Sequence, residues 1–136
     1  MSNSIDISNL YKTLESANMD PAIGIRVEHL TGSEEFSLFG AEIGPFKKVG
    51  AHYHKIGIET YQVIEGSGIM HIGIPGNDNN INWIKSSNVE KGDCFTVDAG
   101  EVHQLINNAD TRLVAIFGCP KSHLSTDRIV VKGYGE

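Results

Sequence analysis

The chain has 136 residues, of which 40% are hydrophobic and 21% are charged, and its formal net charge is -6. A length in the range of roughly 100–200 residues predicts one domain, and the apolar fraction excludes a globally disordered chain. An acidic chain without a basic stripe does not fit a nucleic-acid binder. We therefore expect a globular domain without a nucleic-acid partner.

The sequence also lacks the usual marks of membrane insertion or export. It contains no run of about 18 apolar residues, and its N-terminus has neither a basic region nor an apolar core of a signal peptide. We expect no membrane partner and a cytoplasmic location.

Two cysteines, Cys94 and Cys119, do not make a disulfide framework, so we expect both to be reduced and partly buried.

A short helix is predicted near the N-terminus, over residues 7–17. Its evidence is a set of four apolar residues at helical spacing: Ile7, Leu10, Tyr11 and Leu14. Asp6 or Ser8 is available as the N-cap, and Pro21 ends the segment. We divide the chain into a helical segment, residues 1–20, and a β domain, residues 21–136.

After the helix the apolar residues alternate with a period of two, which is typical of half-buried strands. Short turn signals separate the segments, among them Thr31-Gly32-Ser33. The predicted strands cover residues 22–30, 36–43, 50–55, 59–65, 68–74, 81–85, 93–97, 102–107, 112–118 and 127–132. Many short strands at near-regular spacing predict an all-β sandwich or barrel.

The first candidate site residues are His52 and His54, which are two residues apart. On a strand, such residues point to the same face about 6.5–7 Å apart, so both imidazoles can reach one metal ion. Glu59 follows after an interruption at Gly57, which lets a carboxylate join them. A third imidazole must come from elsewhere, and His103 lies in its own turn-then-strand segment.

These residues resemble the two motifs of the cupin family. The first motif, His-x-His, four residues, Glu, six residues, Gly, is met by His52, His54, Glu59 and Gly66. The second is met by Gly92, Asp98, Gly100, His103 and Asn107, with Asp98 where the family has proline. The family's glycine six residues before His-x-His is absent, Gly44 and Gly50 being the nearest.

The resemblance implies a single cupin jelly-roll β-barrel with a short N-terminal helix. It also implies one divalent metal ion per chain, held by His52, His54, Glu59 and His103. Three neutral imidazoles and one carboxylate suit Mn, Fe, Co, Ni or Zn. Such a site carries a charge of about +1, which favours a small ligand that is anionic or donates two oxygen atoms.

For function, the resemblance implies a metal-dependent enzyme of isomerase, lyase or dioxygenase type that acts on a small oxygen-rich metabolite. The alternative is a small-molecule-sensing or binding cupin without catalysis. A metal-free barrel that binds sugars by hydrogen bonds alone is a third reading, which the complete ligand set disfavours. No second carboxylate shares the face of Glu59 at two-residue spacing, so the sequence identifies no general base.

Tyr61 shares the strand face of Glu59, where it either hydrogen-bonds a substrate or fills the barrel with its ring. The other histidines have no partner at metal spacing and are expected to be surface or hydrogen-bonded residues: His29, His71 and His123.

Single-domain cupins resemble one another in pairing through their sheets. We therefore expect a homodimer, with the N-terminal segment and residues 22–30 at its interface.

Overall fold

A computed structural model describes residues 4–19 and 24–136. Over these residues the helical elements are α1 (Leu10–Ser16) and two 3₁₀ turns, Asn77–Asn79 and Lys121–Leu124. The strands are β1 (Ile25–Gly32), β2 (Ser37–Ile43), β3 (His52–Tyr53), β4 (Glu59–Glu65), β5 (Ser67–Pro75), β6 (Ile81–Glu90), β7 (Cys94–Val97), β8 (Val102–Ile106), β9 (Leu113–Cys119) and β10 (Ile129–Val130). In this part of the chain, no helix has the length and hydropathy needed to cross a membrane.

The strands form two antiparallel five-stranded sheets. Sheet 1 has the order β1-β2-β9-β4-β7, and sheet 2 has the order β10-β3-β8-β5-β6. Apart from the consecutive pairs β1-β2 and β5-β6, neighbours in each sheet come from distant parts of the chain, as in a jelly roll. The predicted all-β class, jelly-roll architecture and short N-terminal helix are confirmed. The two sheets, however, do not close into one continuous barrel.

The core lies between the sheets and is built by alternate residues of their strands. In β4, Glu59 and Val63 are buried, and Tyr61 packs against the core. Val63 shares its core cluster with Ile43 of β2 in the same sheet and with Leu105 of β8 in the opposite sheet. Since side chains of one strand face point inward at every second position, the same alternation that builds the core aims Glu59 into it.

Helix α1 packs on the outer face of sheet 1. It begins after Asn9, whose side-chain oxygen accepts a hydrogen bond from the Lys12 N–H at 3.1 Å. The helix is therefore shorter than predicted, and its N-cap is neither Asp6 nor Ser8. Leu10 comes so close to Gly40 of β2 that a β-carbon there would lie 2.6 Å from its side chain. Pro21 lies outside the described residues.

Two strands, β1 and β6, run further than predicted. The turn predicted at Thr31-Gly32-Ser33 begins two residues later in the structure, at Ser33, because Thr31 and Gly32 still pair with β2. Strand β6 runs on to Glu90 instead of ending at residue 85, because its second half pairs with β5. That half is polar since β6 is an edge strand exposed to solvent, so hydrophobic alternation did not reveal it.

The predicted strands at 50–55 and 127–132 shrink to two residues each, β3 and β10. The reason is a side chain: the Asp127 carboxylate accepts hydrogen bonds from the N–H groups of Lys55 (2.8 Å) and Ile56 (2.9 Å). Those N–H groups therefore cannot donate hydrogen bonds to a neighbouring strand. The chain bends after Tyr53, and this bend carries His54 off the strand.

The cysteines are both free, as predicted, but only Cys119 is buried. Cys94 is exposed at the start of β7, so its predicted partial burial was wrong.

Candidate metal centre

Four predicted ligands meet between the sheets. His52 of β3 and His103 of β8 are direct partners across sheet 2, with ring centroids 4.3 Å apart. His54 follows β3 on the bend, and its ring lies 5.0 Å from that of His52. Glu59 begins β4 in sheet 1 and reaches the same point from the opposite side. The centre therefore joins the two sheets.

The distances suit a shared cation. One nitrogen of each imidazole and one Glu59 oxygen lie within 4.8 Å of one another, and all four residues are buried. Glu59 Oε2 lies 2.9 Å from His103 Nε2 and 3.4 Å from His54 Nε2. A single cation placed among these atoms would be within reach of all four residues.

The backbone orients all three rings in the same way. Nδ1 of His52 donates to the Gly50 carbonyl (2.7 Å), Nδ1 of His54 to the Asp127 carbonyl (2.6 Å), and Nδ1 of His103 to the Glu101 carbonyl (3.3 Å). A carbonyl oxygen only accepts, so each Nδ1 carries the proton and each neutral ring has a lone pair on Nε2. This tautomer is the one that metal-binding histidines adopt when a carbonyl holds the other nitrogen.

The inward nitrogens lack partners. Nε2 of His54 and Nε2 of His103 are buried without a hydrogen bond. An unsatisfied buried polar atom costs about 1–3 kcal/mol, and here its lone pair also faces a carboxylate. A divalent cation resolves both problems, since it accepts lone pairs from the imidazoles and the carboxylate together. This donor set fits Mn, Fe, Co, Ni or Zn.

The charges reinforce this geometry. Burial alone would raise the pKa of Glu59, but an imidazole that carries a second proton, among His103, His123 and His54, donates a hydrogen bond to the ionised carboxylate, and this holds the pKa of Glu59 below its usual value. Burial, and then the neighbouring His103, lowers the pKa of His52 to about 3. At neutral pH, His52 is therefore uncharged and Glu59 ionised, which are the forms that bind metal.

The second motif forms its turn with Asp98 in place of the family's proline, and this turn supports the site. The turn at residues 98–101 closes through a hydrogen bond from the Glu101 N–H to the Asp98 carbonyl (3.1 Å), and Gly100 takes φ +84°. The Gly100 N–H then donates to the His54 carbonyl at 2.7 Å. Asn107 is fully buried and donates to three carbonyls, of which that of Ile43 is 3.0 Å away. The turn and Asn107 thus hold the loops around the ligands.

Asp127 is a positioning residue that the sequence analysis missed. Its carbonyl accepts from His54 Nδ1, and its carboxylate holds the backbone of the bend that follows His54. No sequence pattern predicts this role, because Asp127 and His54 are 73 residues apart and share no motif.

We expect Asp127→Ala to weaken metal binding without removing a ligand. The variant keeps the backbone carbonyl that accepts from His54 but loses the carboxylate that holds the following bend, so His54 is no longer fixed in position. We expect affinity to fall by about 10-fold, the lower end of the range for groups that support a metal-binding histidine. Competition with a chelating dye would measure the change. Asp93→Ala is the matched control, since Asp93 also accepts from a backbone N–H, that of Glu90, in a distant turn. Equal affinities for Asp127→Ala and the parent would contradict the role.

His123 is a further imidazole beside the centre. It lies buried in the 3₁₀ turn, its ring stacks on His54 at 3.9 Å, and its Nε2 donates to the Ile56 carbonyl at 2.6 Å. Its Nδ1 is 3.8 Å from Glu59 Oε1, and together with Cys119 they form a second group of possible ligand atoms. The expectation that His123 is hydrogen-bonded is confirmed, but the expectation that it has no partner at metal-ligand spacing was wrong.

Tyr61 lies beside Glu59, as its parity implied. Its hydroxyl donates to Glu59 Oε2 at 3.1 Å, and its ring stacks between Phe95 and Phe117. Burial and the charge of Glu59 raise the pKa of Tyr61 well above its usual value, so the hydroxyl keeps its proton. Its oxygen can still accept a hydrogen bond, so a substrate contact by Tyr61 stays a prediction.

A cavity of about 150 Å³ opens beside the four ligands. His52, Glu59 and His103 form one side of it, and Arg128 lies at its exposed mouth. The remaining wall is largely aliphatic and aromatic, and Phe117 is part of it. A small molecule in this cavity would contact the ligand cluster directly.

Comparisons with known proteins agree with the fold. The family model described as "Cupin domain" matches residues 41–118, more than half of the chain. No curated protein matches.

Among solved structures, an uncharacterised double-stranded β-helix protein from Klebsiella pneumoniae is similar, with 14% identity, TM-score 0.68, and coverage of 98% of this chain and 100% of that one. A predicted oxalate decarboxylase from Thermotoga maritima has 22% identity, TM-score 0.57, and coverage of 79% and 81%. An oxalate oxidase in complex with glycolate has 21% identity, TM-score 0.59, and coverage of 79% and 57%.

Proposed function

The chain belongs to the cupin family, and from this membership and its site we propose that it is a metal-dependent enzyme acting on a small oxygen-rich metabolite. We propose one divalent ion per chain, held by His52, His54, Glu59 and His103. The reaction would be of isomerase, lyase or dioxygenase type. One observation supports this proposal most directly. Buried imidazole nitrogens of His54 and His103 without hydrogen-bond partners converge on the carboxylate of Glu59.

A divalent ion bound here would supply a Lewis acid that polarises a substrate oxygen. The protein's own residues do the rest. The backbone carbonyls fix the ring tautomers, Tyr61 holds Glu59 by its hydroxyl, and the apolar wall excludes water. Arg128 adds a positive charge at the mouth, which attracts an anionic substrate.

The second candidate function is a binding or sensing module without catalysis. One observation favours it: Glu59 is the only carboxylate that lines the cavity within the described residues, and it belongs to the ligand set. A proton-transfer reaction needs a general base beside the substrate, and His123 is a group of that type that lines the cavity and is outside the proposed ligand set.

The test has two parts. Elemental analysis of protein purified without chelator should give about one divalent ion per chain; no metal, and no uptake of Mn, Fe, Co, Ni or Zn, would contradict the proposal. Turnover is then screened against keto acids, diketones, catechols and sugar phosphates. Metal with turnover supports the enzyme, and metal with ligand binding but no turnover supports the sensing module.

We also propose that the protein is a homodimer that pairs through its N-terminal side. Strand β1 is an edge strand of sheet 1, so one row of its backbone groups is open to pairing. Ile5 and Ile7, which precede α1 on this side, are 83% and 85% exposed. Two isoleucines this exposed favour burial against a second copy.

We expect light scattering to give a dimer mass at micromolar concentration and the double variant Ile5→Ser with Ile7→Ser to raise the dimer dissociation constant at least tenfold. The control is Ile74→Ser with Ile84→Ser, which changes two exposed isoleucines of sheet 2. A monomeric parent would refute the dimer, and equal weakening by both double variants would refute this interface.

A further inference from the structure

The wall of the cavity differs sharply from its metal-facing side. Three further residues with polar groups line it, Tyr61, His123 and Arg128; the Tyr61 hydroxyl and one nitrogen of His123 already donate to protein groups. The rest of the lining has no hydrogen-bonding side chain and includes Ala41, Ile43, Val49, Leu105, Ala115 and Phe117. Most of these are at least nine-tenths buried, so they belong to the core of the protein. A ligand that fills the cavity must therefore place an apolar surface against this wall.

This wall disfavours polyhydroxylated ligands. A hydroxyl group moved from water to an apolar surface without a partner costs about 1–3 kcal/mol. A sugar acid would bury several such groups against Leu105, Phe117 and their neighbours. The cavity also offers more apolar surface than a two-carbon diacid such as oxalate can cover. The best match is a molecule with one polar end and one apolar end.

The size of the cavity limits the apolar end. Its volume is about 150 Å³, and in another protein an engineered cavity of about that volume, lined by similar residues, holds benzene. Three to six carbon atoms would fill the space.

The polar end is indicated by Arg128. No ion pair joins its guanidinium to a carboxylate of residues 4–19 or 24–136. The other two arginines, Arg26 and Arg112, both pair with Glu42. Arg128 lines the same cavity as His52 and His103, two of the proposed metal ligands. An unpaired guanidinium beside a cationic centre is suited to a carboxylate.

We propose that the ligand is a small monocarboxylate, of the 2-oxo or 2-hydroxy acid type, with an apolar side chain of about three to six carbon atoms. Its carboxylate lies between the metal ligands and Arg128, and its side chain lies against the wall of Ala41 and Phe117. This inference rests on the proposed function, because the ion would hold the two oxygen atoms of such an acid.

A homologous series tests the ligand class by calorimetry on Mn²⁺-loaded protein. The probes are 2-oxopropanoate, 2-oxobutanoate, 2-oxopentanoate and 4-methyl-2-oxopentanoate, which share one chelating end and differ only in apolar length. We expect about a fourfold gain in affinity for each added carbon. Oxalate and glucuronate should bind more weakly than the longest acid. A flat series, or tighter binding of oxalate or glucuronate, would overturn the proposal.

Variants separate the two ends of the ligand. Arg128→Gln should lower the affinity of every acid about tenfold and leave the gain per carbon unchanged. Lys132→Gln is the control, since it removes a nearby exposed charge that does not line the cavity, and it should bind as the parent does. Ala41→Val and Ala41→Leu should progressively remove the gain per carbon while 2-oxopropanoate binding persists. Parent-like binding by Arg128→Gln would overturn the role of the arginine.

The same series distinguishes this inference from the proposed function. If elemental analysis finds no metal but the gain per carbon and the Arg128→Gln effect persist in the metal-free protein, the metal enzyme is refuted and the ligand class stands. If the metal binds at one ion per chain and the series is flat, the ligand class is refuted and the metal site stands.

Discussion

Replacing His54 with alanine should eliminate stoichiometric metal binding. The variant loses one of the three imidazoles. The remaining ligands, His52, His103 and Glu59, are then too few to hold the metal ion tightly. The affinity loss should exceed the roughly 10–100-fold expected when a group that only orients a ligand is removed. Elemental analysis of freshly purified protein, with the parent prepared in parallel, measures the result.

The same variant should lose stabilisation by metal. A ligand at 100 times its dissociation constant raises the free energy of unfolding by about 2.7 kcal/mol. For a domain of this size, that corresponds to an increase in melting temperature on the order of 10 °C. The parent should show this increase on adding metal, and His54→Ala should show none.

The matched control is His29→Ala, which removes an exposed histidine from β1 and should keep both metal and thermal shift. His54→Gln provides a second variant in case alanine disturbs the bend after β3. Folding of each variant is checked by circular dichroism. A folded His54 variant that retains one ion per chain would contradict the assignment of this residue.

Acidification should destabilise the protein, beginning below about pH 6.5. In the unfolded chain His52 takes up a proton near pKa ~6.5, whereas in the folded protein its pKa is about 3. Between these values the unfolded chain binds more protons, so the free energy of unfolding falls with the pH. The loss should be about 2 kcal/mol at pH 5 and should reach about 5 kcal/mol below pH 3.

Two neighbouring groups do not reverse this trend. The pKa of Glu59 is lowered, so its contribution is present above its unfolded value of ~4.3 and is lost as the pH falls further. Burial alone would lower the pKa of His123, but Glu59 and the Ile56 carbonyl raise it. Its contribution is complete below ~6.5 and is lost only as the pH rises through its folded pKa.

The metal-loaded protein should lose more stability than the metal-free protein over the same interval. Protonation of the histidine ligands competes with the ion, so acid releases metal between about pH 6 and pH 4 and removes its stabilisation as well. Melting curves from pH 7.5 to pH 5, with and without chelator, measure both effects. Parallel curves for the two forms would mean that the histidines are not ligands.

Local sequence patterns predicted much of this protein. Alternation located the strand at residues 59–65 at its observed bounds, because one of its faces is buried and the other is not. The spacing of His52, His54, Glu59 and His103 identified the four residues that the fold brings together. Such patterns are readable because a buried strand face and a set of ligands on neighbouring strands both restrict residue types at fixed intervals.

The tertiary structure decided what depends on contacts between distant segments. His54 was expected to share a strand with His52, but Asp127 takes up the backbone of the following bend and holds the ring by its own carbonyl. In the same way, the 3₁₀ turn places His123 against Glu59, and β10 begins just after Arg128 at the cavity mouth. These three residues lie within the last 14 of the chain and have no local pattern. Their positions follow from how the C-terminal segment packs, which sequence spacing alone does not encode.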